Sequence, residues 1–388
     1  MVGRMLGMDR SRWVLAILSL VACGGSGSNN QGDGGGGDAG ALLTCTNAAA
    51  TTTVDAGMAL GVVSGMVAGP GTFVGGCQIF PPTNAWNVDV SSASVATTTA
   101  YTIPTGHLHP DLGDWMPDAY GIPFNVVPSG QPLAVINFTG YGAESDPGPN
   151  GWTTNPNTSS NGNGVTSYPI PNGAMIEGDP GAGKTPGDDH LLVLQQGATC
   201  GAPCSLWETW STVGGSSAPW TASNGALWDL GSNALRPLGW TSADAAGLSV
   251  FAGLLKLAEV KAGVVTHAIR VTFNSSQQGY VYPATHSAGS GALGGALPPM
   301  GLRLRLKSTF DASSFSGPGK IVAKAMQTYG LILADNGSDW YFQGDSNNGW
   351  NDMDVTDTYV GELLTDFDKV DGTDFDALDT GAPMNTGE

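Results

Sequence analysis

Leu302-Arg303-Leu304-Arg305-Leu306-Lys307 alternates apolar and cationic residues without a break, and that period of two is the mark of a β-strand with one buried face. The leucines are expected to face the core and the three cations the opposite side. The same period runs through Thr266 to Phe273, which puts His267, Ile269, Val271 and Phe273 on one face and Ala268, Arg270 and Thr272 on the other. Working outward, His190 to Leu194, Ser205 to Ser211, Tyr280 to Tyr282 and Leu331 to Ala334 are further short segments bounded by Gly, Pro, Asn or Ser. With 59 glycines and 24 prolines the chain carries the punctuation that many turns need. Helices are expected to be few. One is opened by Thr241-Ser242-Ala243-Asp244 as a capping box, and one runs from about Pro318 to Tyr329, with Ile321, Val322, Ala325, Met326 and Tyr329 on one stripe and Gly330 as the stop. No strand–helix alternation is present, so the fold class is mainly β: a β-sandwich or jelly-roll-like body with long loops and a few short helices.

The N-terminal end reads differently. Arg4, Arg10 and Arg12 precede Trp13-Val14-Leu15-Ala16-Ile17-Leu18, an apolar run too short for a stable membrane span but suited to a signal peptide. Leu20-Val21-Ala22-Cys23-Gly24 then resembles the lipobox of bacterial lipoproteins, which implies removal of residues 1–22 and a lipid on Cys23. That resemblance places the protein in the cell envelope or on the outer-membrane surface, held by lipid alone. Residues 23–75 are expected to be a low-complexity tether and extension: 24 to about 40 are Gly, Ser, Asn, Gln and Asp, with no apolar surface to offset ordering, and 41–75, rich in Ala, Thr, Val and Gly, read either as more of that tether or as a first strand. A single β-rich domain follows over 76–375, and 376–388 reads as an acidic tail.

The net charge of −19 excludes nucleic acid, whose phosphates require a basic footprint. The acids of the tail region, Asp352 to Asp376, match no complete EF-hand loop and read as a solvated surface. With Cys23 assigned to lipid, Cys45, Cys77, Cys200 and Cys204 remain, an even number in an oxidising compartment, so disulfides are expected. The short Cys200-Gly201-Ala202-Pro203-Cys204 segment favours Cys200 with Cys204, leaving Cys45 for Cys77.

Gly178 to Thr185 satisfies the P-loop expression, yet Pro186-Gly187-Asp188 follows where a phosphate-cradling helix must start, so no nucleotide is expected. The chemistry is sought in histidines and carboxylates. His107, His109 and Asp111 alternate and can point one way on an extended segment, the one option for a divalent metal in a chain otherwise expected to need no cofactor. Asp189 and His190 sit at the start of a strand. Glu177, Glu208 and Asp229 lie among apolar or aromatic neighbours that can raise a carboxyl pKa for general-acid work. Glycoside hydrolysis needs two such groups, and the chain's 11 tryptophans suit sugar stacking. The catalytic candidates are His267, Arg270, Glu177, Asp189, His190 and Asp335; the substrate-binding candidates are Trp240, Tyr282, His286 and Arg303. His267 is also readable as a core histidine beside Ile269 and Val271.

Asn233 to Pro237, Gly239 to Leu248, Thr266 to Arg270, Leu297 to Arg303 and Ala334 to Ser338 resemble a group of exported bacterial proteins that carry no assigned activity. The resemblance implies one contiguous module over about residues 77–375 and supplies no mechanism. The functional expectation is a surface-anchored carbohydrate-active enzyme acting on a polysaccharide or cell-surface glycan, a hydrolase first and a lyase second. The alternative is a non-catalytic glycan-binding or surface-recognition lipoprotein.

Overall fold

Leu191-Leu192-Val193-Leu194 is apolar at every position because both faces of its strand are covered. The computed structural model describes Leu42, Leu43 and residues 66–96, 101–113, 121–178, 188–215, 218–351 and 359–385. In chain order the strands are β1 (Thr72–Val74), β2 (Cys77–Ile79), β3 (His109–Asp111), β4 (Phe124–Val127), β5 (Ala134–Phe138), β6 (Gly164–Tyr168), β7 (Leu191–Gln195) and β8 (Ser205–Trp210). They continue with β9 (Val213–Gly215), β10 (Ala218–Ala222), β11 (Asn224–Asp229), β12 (Ile269–Phe273), β13 (Arg303–Leu306), β14 (Leu331–Asn336), β15 (Tyr341–Gln343) and β16 (Phe375–Ala377). The helices are α1 (Val250–Gly253), α2 (Leu257–Ala262), α3 (Gly317–Thr328) and α4 (Tyr359–Phe367). No described helix is long and apolar enough to cross a membrane.

The chain is mainly β, as its periodicity predicts. Two four-stranded sheets, β6-β5-β10-β9 and β11-β8-β7-β4, form a sandwich. Its filling is Ile136, Phe138, Tyr168 and Ala222 from one sheet and Leu191, Val193 and Trp207 from the other. The second sheet turns its other face, with Leu192, Leu194 and Leu206, to a larger core shared with the six-stranded sheet β16-β13-β14-β12-β15-β3. Pairing is mixed: β12 with β14, β15 with β3, β4 with β7 and β5 with β10 run parallel. β12 is buried along its whole length.

Leu302, Leu304 and Leu306 do face the core. The opposite side of β13 is not solvent, however. Arg303 is buried and donates to the carbonyls of Tyr329, Ala85 and Val88, while Arg305 donates to those of Val90, Ser91 and Ala93, so both cations fasten the 85–93 segment across the sheet. Helix α3 follows its prediction, with Ser316 accepting from Gly319 N and Gly330 at φ 74° ending it. Thr241 to Asp244 opens no helix. It forms a turn, Ser249 caps the short α1 instead, and Asp244 is drawn away into an ion pair. Tyr280 to Tyr282 contributes two isolated bridges, from Tyr280 to Met300 and to Met384, rather than a strand.

The fold includes β1 and the Val67–Asp89 bridge, so the end of the 41–75 stretch takes the first-strand alternative. The fold also runs past 375, since Asp376 and Ala377 pair with β13, Leu378 is buried and Met384 bridges Tyr280. The disulfide is Cys77–Cys204, with Cα atoms 5.8 Å apart and 127 residues between them in sequence, which corrects the expected local pairing. Cys204 is buried in the core whereas Cys200 lies on an exposed turn. Cys200 is itself disulfide-bonded, and Cys45 and Cys23 lie outside the described residues.

Candidate functional site

Two polar rows meet under the Thr241–Ser249 loop. The first crosses the six-stranded sheet. Asp335 stands near the end of β14, Arg270 on β12, Gln343 on β15 and Asp111 on β3, with Gln343 and Asp111 paired in register. A break in register between Val271 and Thr272 brings Asp335 rather than Ala334 alongside. Arg270 is buried and forked onto Asp244, Nε to Oδ2 at 3.1 Å and Nη2 to Oδ1 at 2.6 Å. Its Nη1 donates to Gln343 Oε1, and Asp335 Oδ2 lies 3.8 Å from Nη2.

The second row crosses the end of the inner sandwich sheet. Asn224 pairs with Trp210, and the β7–β8 register, Leu191 opposite Thr209, sets His190 opposite Trp210. His190 Nδ1 lies 2.6 Å from Glu177 Oε2, and its Nε2 donates to Ala243 O at 2.9 Å. The loop therefore receives His190 at Ala243 and Arg270 at Asp244, which joins the rows. Asp189 and Ser211, at the mouths of β7 and β8, hold φ of 54° and 53°. They are fastened by Ser211 N to Asp188 O and Thr212 N to Asp189 O. Left-handed backbone at a non-glycine residue costs on the order of 1 kcal/mol or more and collects at functional sites.

The electrostatics separate the carboxyls. Burial, then the charge of Glu177, pushes Asp111 up to about 7 against the pull of Arg270. Burial, then Asp244, pushes Asp335 up to about 8. Burial works upward on Glu177 too, but the neighbouring His190 charge and its hydrogen bonds hold this carboxyl below its usual range. For His190, burial is outweighed by Glu177, and its pKa is raised to about 9. Asp189 is raised by burial and by Glu177 and Asp188. At neutral pH the cluster thus holds Asp335 mostly protonated, Asp111 near its midpoint and Glu177 ionised, the combination that acid–base chemistry uses. One oxygen of Asp111, Oδ1, is buried without a partner, and the side chain of Asp335 is 23% exposed.

Of the sequence candidates, Arg270, Glu177, His190 and Asp335 come together, with Asp189 at the rim. His267 does not join them. It lies in a closed network with Glu259 (3.1 Å) and Ala268 O (2.6 Å). Glu208 is fully buried and accepts from Trp228 Nε1, Ser249 Oγ, Val250 N and Phe251 N, so it serves as a helix cap and core anchor. Asp229 caps a turn at Gly231. Arg303 is spent on carbonyls, and Trp240 faces the Arg236 guanidinium. His286 Nδ1 donates to Ala245 O. Tyr282 lines a shallow cleft with Phe80, Trp86 and Trp228. Gly253 separates Trp86 from the cluster: a Cβ there would lie 2.7 Å from Arg270 Cβ and 2.8 Å from the Trp86 ring.

The metal option does not assemble. His107 is exposed, His109 stacks on Tyr341 at 4.3 Å, and among the described residues no three His, Cys, Asp or Glu side chains are placed to hold a metal ion. The P-loop match lies outside the described residues beyond Gly178. Sequence reasoning missed Asp244, Gln343 and the role of Asp111. An acid flanked by Leu108, Pro110 and Leu112 in an extended segment was the available signal for the last. Comparison of the chain with protein-family models, curated proteins and solved structures finds no match.

Proposed function

We propose that the protein is an extracytoplasmic carbohydrate-active enzyme, a polysaccharide hydrolase, tethered to the cell envelope through a lipid on Cys23. The observation that carries the chemistry is the split between two carboxyls that both act on Arg270, Asp335 raised to about 8 and Glu177 held below its usual range by His190. In this reading Asp335 gives its proton to the glycosidic oxygen as the carbon–oxygen bond breaks. Glu177 takes a proton from the water that adds to the sugar carbon. Arg270 is a positioning residue, committed to Asp244 and Gln343. That commitment disfavours the lyase alternative, which needs a free cation opposite a uronate carboxylate.

The test is product analysis of the chain truncated before Cys23 against neutral and uronate-containing polysaccharides, with and without chelator. Chain shortening with saturated ends is expected, falling by about 10²-fold or more in Asp335→Asn and Glu177→Gln. Unsaturated ends would replace the hydrolase by a lyase. Retention without cleavage would leave the second reading, a glycan-binding lipoprotein.

A further inference from the structure

We propose that Tyr141 and Trp210 form a stacking platform for a pyranose ring, adjoining the carboxyl cluster and selecting an uncharged glycan. This rests on the carbohydrate reading above and adds a place and a charge class to it. Trp210 ends β8 on the same face as His190 and directly opposite it in register. Its ring is half-buried, and that of Tyr141 is 46% exposed. The centroids stand 6.3 Å apart at 44°, tilted rather than stacked face to face. The backbone fixes the pair, since Ser223 N donates to Trp210 O at 2.9 Å and Tyr141 N donates to Ser223 O at 2.7 Å. On the other side, Trp210 is followed by Ser211, whose left-handed backbone is locked onto Asp188. The aromatic pair and the His190–Glu177 pair are thus held at one end of one sheet.

The charge class follows from what surrounds the platform. Among the described residues, Asp188, Asp189, Glu177, Asp111, Asp244 and Asp335 gather around two cations, Arg270 and His190, and both are already engaged. A uronate would meet there an excess of acidic groups and, among the described residues, no free donor of positive charge. The chain's net charge of −19 repels a polyanion before contact as well. A neutral sugar presents C–H faces to the rings and hydroxyls to the carboxyls, and meets neither penalty.

The test measures affinity and cleavage separately. Oligosaccharides of neutral β-glucan, xylan, mannan and chitin, with oligogalacturonate as the charged comparison, are titrated calorimetrically into the truncated protein and into Tyr141→Ala and Tyr141→Phe. Binding of at least one neutral ligand is expected, weakened about tenfold by Tyr141→Ala and restored by Tyr141→Phe, which keeps the ring. Trp210→Ala should act in the same direction, with circular dichroism reporting whether it still folds. Neutral-glycan binding with no cleavage sinks the hydrolase reading and leaves the platform standing. Cleavage with unchanged affinity in Tyr141→Ala sinks the platform and leaves the hydrolase. Preference for oligogalacturonate, or no neutral ligand bound, overturns the proposal outright.

Discussion

Two buried histidines in this protein each pair with a glutamate, and the company they keep separates them. His267 and Glu259 sit where every polar group is met: Glu259 accepts from Thr72 Oγ1 at 2.5 Å and Lys256 N at 3.1 Å besides facing His267. Burial pushes this carboxyl up, but His267 and Lys256 prevail and hold it down at about 2. His190 and Glu177 are as close and nearly as buried, yet beside them Asp111 and Asp335 are driven the other way, and one Asp111 oxygen has no partner. Burial and pairing alone therefore mark no site. Carboxyls left in an unfavourable state around a pair do, because a fold selected only for stability has no use for them.

The largest expected effect strikes the shared foundation of the first row. Asp244→Ala removes the only fork on a guanidinium that is 2% exposed, and should cost about 3–5 kcal/mol in urea unfolding. Glu259→Ala strands His267 and Lys256 in the same way and should cost a comparable amount. A loss below about 1 kcal/mol for Asp244→Ala would mean that Arg270 reaches water, and would break the account of the cluster as a preorganised site.

The contrast between the pairs shows how far the sequence could be read. Period two placed Leu302, Leu304 and Leu306 in the core correctly, but it names sides without saying what covers them. Arg303 is buried because a segment more than 200 residues earlier lays its carbonyls against that side. Arg270, Glu177, His190 and Asp335 were legible as acids and bases at strand ends. Asp244 was not, because its local pattern matched a helix cap while a buried guanidinium offered it a stronger partner. Asp111 reaches the site through the pairing of β3 with β15, over 200 residues away in sequence. The cysteines taught the same lesson, since a bridge of 127 residues formed where a neighbour four positions away was available. Short-range signals describe elements, whereas sites and staples here are made by distant contacts.

A second, smaller effect sharpens the comparison through pH. The pKa of His190 is raised to about 9 from 6.5, so the stability it contributes is complete below pH 6.5 and lost as pH rises through 9. That of Glu259 is depressed to about 2 from 4.5, so its contribution is complete above pH 4.5 and lost as pH falls through 2. The His190 pair should therefore weaken on the alkaline side as well as on the acid side, where its partner Glu177 is held below the usual carboxyl range, and the Glu259 pair on the acid side, with His190 and Glu259 each contributing up to about 3 kcal/mol. Melting temperature across pH 2–10 checks this in His190→Gln, which should flatten the alkaline limb, and in Glu259→Gln, which should flatten the acid limb. An unchanged alkaline limb in His190→Gln, or a flattened alkaline limb in Glu259→Gln, would erase the distinction between the two pairs.

The smallest effect has the opposite sign. Asp111 is raised to about 7 from 3.8, chiefly by burial and then by Glu177. The folded chain therefore keeps a proton that the unfolded chain releases above pH 3.8, and stability is lost as pH climbs from there through 7. Asn carries the shape of the protonated acid without its titration. Asp111→Asn should leave unfolding free energy unchanged near pH 3.5 and raise it by about 1–2 kcal/mol at pH 7. The matching change in the other pair, Glu259→Gln, should lower it at pH 7, because there the ionised form is the one that the fold rewards. Urea unfolding of both variants at the two pH values decides the matter. Destabilisation by Asp111→Asn at pH 7 would show that its carboxylate is wanted by the fold, and would remove it from the candidate site.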